Sequence, residues 1–183
     1  ISVIDDTADR PPAGFDWHTD LSWTVEPPEL GFLSAVVIPP YGGDTLWADM
    51  EAAYEGLSAR FRSMIDGLRA VHDFQNFRVL FKKTEEDQAK LRKMEELFPN
   101  PSHPVVRTHP ANGRKSIYVN PQFTVRIEGL DPDESRAILQ VLYAQAQVPE
   151  YQFRLRWTPG AIVFWDNRST QHYAANDYYP ERR

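Results

Sequence analysis

The chain contains no cysteine. That absence excludes disulfides, thiolate metal sites and thiol nucleophiles together, and it is compatible with a reducing cytoplasm, where the protein is expected. Any metal bound here must take its ligands from histidine and carboxylate, a set that suits iron, manganese or zinc better than softer ions. No run of 18 apolar residues occurs, so no transmembrane helix is expected. The opening residues, Ile1-Ser2-Val3-Ile4-Asp5-Asp6, have neither a basic region nor an apolar stretch, and no signal peptide is read there. Positive charge is in deficit as well. The formal net charge is −6, which argues against a nucleic acid or an anionic membrane as partner.

What is present reads as one folded domain spanning residues 1–183. At 42% hydrophobic and 13% aromatic residues the chain can bury a core, removing roughly 70% of its unfolded surface from water. Residues 1–17 read as irregular, broken by Arg10-Pro11-Pro12 and Gly14. The apolar run Gly31–Ile38 reads as a buried strand, followed by a short strand over Asp44–Trp47. Asp49–Gly56 and Ser58–Asp66 read as helices with Asp49 and Ser58 as N-caps. Further strands are expected at Arg69–Phe74, Val105–His109, Ser116–Val119, Phe153–Trp157, Ala161–Trp165 and Thr170–Ala174. Helices are expected at Thr84–Phe98 and Asp131–Gln147. Many short strands with Pro/Gly turns and a few helices imply a mainly β domain with helical insertions, of the double-sheet jelly-roll, cupin-like kind. The polar stretch 75–102 lies between strands and is expected to form a mobile cover.

Two distant histidines stand out. His18 lies in Trp17-His18-Thr19-Asp20, and His172 ends Trp165-Asp166-Asn167-Arg168-Ser169-Thr170-Gln171-His172. Two imidazoles and one carboxylate on one face of a metal leave other positions open, the arrangement of non-haem Fe(II) oxygenases. The spacing alone proves little: with 5 histidines and 26 acidic residues, about 0.7 His-x-acid matches arise by chance. None of the other four histidines repeats the pattern. Arg183, eleven residues beyond His172, could clamp a carboxylate co-substrate, with Arg182 as its rival. His72, His103 and His109 are expected to be structural. Trp165 is expected to pack near the metal and Trp17 to wall the site, with plain core packing the alternative for both.

Context supplies the specificity that spacing lacks. The blocks Trp17-His18-Thr19-Asp20, Gly42-Gly43-Asp44-Thr45-Leu46-Trp47, His103-Pro104-Val105-Val106-Arg107-Thr108-His109-Pro110 and Trp165-Asp166-Asn167-Arg168…Gln171-His172 resemble, in order, the taurine dioxygenase group of Fe(II)- and 2-oxoglutarate-dependent oxygenases. That group includes alkylsulfatases and phenoxyalkanoate dioxygenases. The resemblance implies a double-stranded β-helix, with His18, Asp20 and His172 as Fe(II) ligands and Thr45 and Arg183 as ligands of 2-oxoglutarate. O2 is then the second co-substrate, and succinate and CO2 are released. Members of the group extend beyond both ends of this sequence, so N-terminal and C-terminal portions are expected to lie outside it. The substrate is expected to be a small organic anion, a sulfonate, sulfate ester or carboxylate, oxidised beside its heteroatom. Arg78 and Phe123 are candidate substrate residues, and Phe74, Phe77 and Phe123 favour a tail larger than that of taurine. A homo-oligomer is expected. Two other classes compete: a His/His/Asp metal hydrolase, and a cupin-like binding module without turnover.

Overall fold

The computed structural model describes residues 3–12, 16–74 and 84–183. The described strands are β1 (Leu30–Ser34), β2 (Thr45–Asp49), β3 (Arg69–His72), β4 (Ser102–Pro104), β5 (Val106–Thr108), β6 (Lys115–Ile117), β7 (Thr124–Ile127), β8 (Gln152–Leu155), β9 (Ile162–Asp166) and β10 (Thr170–Ala174). The helices are α1 (Met50–Gly56), α2 (Ala59–Ile65), α3 (Glu85–Leu97) and α4 (Pro132–Gln145). Every described pairing is antiparallel, in the orders β1-β9, β10-β2-β8, β4-β3-β7 and β5-β6. The fold is a jelly roll, as the strand-rich pattern implies. No described helix is long and apolar enough to cross a membrane.

Local chemistry sets the helix starts. The Asp49 carboxylate accepts from the backbone N–H of Glu51 and Ala52, and the Ser58 hydroxyl from that of Phe61. Asp131 and Glu134 form a reciprocal capping box at α4, satisfying donors that the first helical turn leaves open. The largest core cluster gathers Met50 and Ala53 of α1, Ile65 of α2, Leu139 and Leu142 of α4, Ile117 of β6, Ile127 of β7, and Val105 and Val119 from the segments flanking the strands. Trp17 belongs to this core and stacks on Tyr173 at 5.7 Å.

Three elements differ from the expectation. The strand β1 is half-exposed, with Phe32 59% and Phe164 of its partner β9 70% exposed on the outer face. An apolar run reports hydrophobicity on both faces but cannot report whether both are covered. The strand β4 ends on Pro104, a residue that argues against a strand interior; it is tolerated because β4 lies at a sheet edge. Residue 102 therefore belongs to a sheet and not to the cover. Finally, Thr124–Ile127 pairs with β3, a segment too short for its alternation to register.

The cover region divides at the limit of description. Residues 75–83, which include Phe77 and Arg78, lie outside the described residues. The helix α3 has no buried residue, yet Leu91, Met94 and the following Phe98 pack against Trp23, Phe74 and Phe123.

Candidate metal centre

Strand pairing brings the two distant histidines together. His18 forms an antiparallel bridge with His172, each backbone N–H donating to the other's carbonyl at 3.0 and 2.8 Å. The bridge places His18 beside β10, and β10 in turn pairs with β2 in a register that sets His172 opposite Trp47. The imidazole centroids stand 4.1 Å apart. Asp20, two residues beyond His18, presents Oδ1 at 3.6 Å from His18 Nε2 and 3.8 Å from His172 Nε2. One ligand atom from each lies within 4.8 Å of the others, the one such metal-competent group among the described residues.

The protonation states suit a cation. His18 Nδ1 lies 2.7 Å from the Asp16 carbonyl and donates to it, so Nε2 is the nitrogen turned toward Asp20 and His172. His172 is pushed down to about 3, by burial first and then by the nearby His18, against the opposing pull of Asp20. It is neutral at physiological pH, as a metal ligand must be. Burial raises the Asp20 carboxyl, but hydrogen bonding to His18 and the fields of both imidazoles outweigh this and lower it. Two imidazole nitrogens and a carboxylate oxygen therefore face one point. Asp20 retains 39% side-chain exposure, so the centre opens to solvent on the carboxylate side. Open positions of this kind distinguish a catalytic site from a closed structural one.

A cationic clamp lies on the same face of β2. Residues two apart on a strand point the same way, so Thr45 shares the side of Trp47, which faces His172. Arg183 Nη2 donates to Thr45 Oγ1 at 3.0 Å, and Trp157 Nε1 donates to the same oxygen at 2.9 Å. Among the described residues Arg183 has no carboxylate partner. Its backbone pairs with Asp6 in both directions, which ties the chain's last residue to its beginning. Gly43 makes room for it: a Cβ there would meet Arg183 Cδ at 3.1 Å, and φ is +69°. Arg182 points elsewhere, bound to Asp5 at 2.8 and 3.2 Å.

The remaining candidates divide. Phe123 is buried, with its ring edge-on to His18 at 5.9 Å, whereas Arg78 lies outside the described residues. Trp165 packs 5.0 Å from His172. His72, His103 and His109 do not join the metal group: they bond to Ser22 Oγ, the Thr24 carbonyl and Asp166 respectively. Sequence reasoning overlooked Trp157, which it took as the end of a strand. A tryptophan signals hydrophobic bulk, and nothing in the sequence shows where its single N–H points.

Comparison with known proteins shows the family. The model of the taurine catabolism dioxygenase TauD, TfdA family matches residues 2–183. The chain is 37% identical over 171 residues to an alpha-ketoglutarate-dependent sulfate ester dioxygenase of Pseudomonas putida, covering 91% of this chain and 56% of that protein. It is 39% identical over 156 residues to an alpha-ketoglutarate-dependent 2,4-dichlorophenoxyacetate dioxygenase of Cupriavidus pinatubonensis, covering 85% and 53%. The crystal structure of a taurine dioxygenase from Burkholderia xenovorans superposes with a TM-score of 0.75 at 39% identity, covering 93% of this chain and 55% of that one. The chain thus spans little more than half the length of these relatives. By its match along nearly the whole sequence, the chain belongs to the taurine catabolism dioxygenase TauD, TfdA family.

Proposed function

We propose that this chain carries the active centre of an Fe(II)- and 2-oxoglutarate-dependent dioxygenase that hydroxylates a small organic anion beside its heteroatom, releasing succinate and CO2. The observation that carries the reading is the pairing of an open His18/Asp20/His172 group with an Arg183–Thr45 clamp on one face of one sheet. Thr45 lies two residues from the position opposite His172, about 7 Å along the strand. That span suits a five-carbon diacid whose oxo-acid end sits at the metal and whose far carboxylate meets the clamp. A hydrolase leaves the clamp without a purpose, and succinate release separates the oxygenase from a cupin-like binding module.

Iron, when bound, supplies the redox chemistry with O2 that couples decarboxylation of the oxo acid to C–H hydroxylation. The protein's contribution is positioning. His18 and His172 donate as neutral imidazoles, and Asp20 adds the one negative charge. The Thr45 oxygen already accepts two N–H donors, so its own hydrogen is left to point at the ligand carboxylate. Arg183 offers the planar fork that matches that carboxylate. The buried Phe123, against His18, bounds the reacting space with Trp23 and Phe74. Replacing Trp157 by Phe keeps the bulk and removes one of the two donors that orient the Thr45 hydroxyl. The KM for 2-oxoglutarate is expected to rise about threefold to tenfold, the worth of one neutral hydrogen bond, with kcat nearly unchanged in a steady-state succinate assay.

The aromatic wall also bears on the substrate. Phe74 and Phe123 favour an alkyl or aryl anion over taurine, and the relatives named above include proteins described as acting on a sulfate ester and on a phenoxyacetate. The full-length protein supplied with Fe(II), ascorbate and 2-oxoglutarate is expected to release succinate faster with longer alkylsulfonates, alkyl sulfates or phenoxyalkanoates than with taurine. A strong taurine preference removes the large-pocket argument. Activity on neutral or cationic compounds alone removes the anion reading.

A further inference from the structure

The Asp20 carboxylate stands 3.6 and 3.8 Å from the two imidazoles, and where it can reach depends on the position of its backbone. That backbone lies in a turn whose next residue, Leu21, has φ +52° and is 44% exposed. Leucine disfavours that conformation, and packing does not enforce it here. The hold comes from across the fold. Asn167 is 1% exposed, its Oδ1 accepts from the Asp20 N–H at 3.0 Å, and its Nδ2 donates to the Asp20 carbonyl at 3.0 Å and to the Pro28 carbonyl at 2.9 Å. One side-chain amide thus grips Asp20 from both sides, as a neighbouring strand would.

We propose that Asn167 is a positioning residue for the metal centre, setting Asp20 relative to His172. The inference rests on the metal reading above. Asn167 sits in the β9–β10 turn, five residues before His172, and the turn is itself braced. Arg168 donates to Asp166 from its backbone N at 2.9 Å, from Nε at 3.0 Å and from Nη2 at 2.7 Å. The Thr170 hydroxyl donates to the Asp166 carbonyl at 2.7 Å, and the Asn167 N–H donates to the Glu29 carbonyl at 2.9 Å. The same turn therefore delivers the third ligand and locates the second. An amide fits both roles: a carboxylate at 167 would turn oxygens toward the Asp20 and Pro28 carbonyls, and an alanine would remove all three bonds from part-buried backbone groups.

The test uses Co(II) as the probe and needs no turnover. In Asn167→Asp of the full-length protein, the Co(II) dissociation constant is expected to rise roughly tenfold to a hundredfold, the usual effect of losing a partner that orients a ligand. In the metal-free variant the Asp20 amide should exchange at least tenfold faster, while the His172 amide, bonded to the His18 carbonyl, keeps its protection. Asn167→Ala, which buries no new charge, is expected to move in the same direction. Co(II) affinity within twofold of wild type in a folded variant overturns the proposal. So does equal loss of protection at Asp20 and His172, which marks general loosening. Should neither variant fold, the unsubstituted protein decides: slow exchange of the Asn167 side-chain amide protons supports the grip, and rapid exchange overturns it. Wild-type Co(II) binding by Asp20→Ala would instead refute the metal reading itself.

Discussion

Replacing Asp20 by Ala is expected to abolish most turnover, by roughly a hundredfold or more, since even a partner that only orients a ligand is worth ten to a hundredfold. The loss follows from charge. His18 and His172 bind as neutral groups, so Asp20 is the sole anion among the three ligands, and without it a divalent ion faces two imidazoles and water. Asp20→Asn keeps the shape and one oxygen donor while removing the charge, and should fall between wild type and Asp20→Ala. The fold should tolerate both changes: the side chain is partly exposed and packs into no hydrophobic cluster. Co(II) titration, succinate release and a thermal melt separate these effects. Normal turnover by Asp20→Ala, or metal retained on His103 or His109, would refute the ligand assignment.

Arg183→Ala is the second large effect, and it should appear in KM. In the proposed function the guanidinium and the Thr45 hydroxyl would contact the same distal carboxylate, which does not change in the reaction, so they would bind ground state and transition state alike. A hydrogen bond to a charged group is worth about 1.5–3 kcal/mol, so the KM for 2-oxoglutarate is expected to rise about tenfold to a hundredfold. Saturating co-substrate should recover much of kcat. Arg183→Lys keeps the charge but replaces a planar fork with a point donor, and it should recover only part of the loss. Arg182→Ala is the internal control, because Arg182 is engaged with Asp5, and its KM should match wild type. An unchanged KM in Arg183→Ala, measured on the full-length protein, would remove the clamp from the proposed function.

The residues proposed to carry the chemistry were legible in the sequence, and for a physical reason. Metal ligation and carboxylate binding demand particular functional groups, and a chain without cysteine has few ways to supply them. His18, Asp20, His172, Thr45 and Arg183 could therefore be named from residue type and flanking blocks. The N-caps Asp49 and Ser58 were equally legible, because a cap acts on the three residues that follow it.

Tertiary structure alone decided what depends on direction or on a distant partner. The burial of β1 could not be read, because apolar residues on two faces do not reveal whether both faces are covered. The strands β4 and β7 form because β3 offers them an edge, a fact stored tens of residues away in the chain. Trp157 and Asn167 reach Thr45 and Asp20 through a single N–H and a single amide, whose aim is set by side-chain rotation and strand register. Asn167 reaches Asp20 across 147 positions. Composition and spacing say which groups a chain can bring to a site; only the folded register says toward which atoms they point.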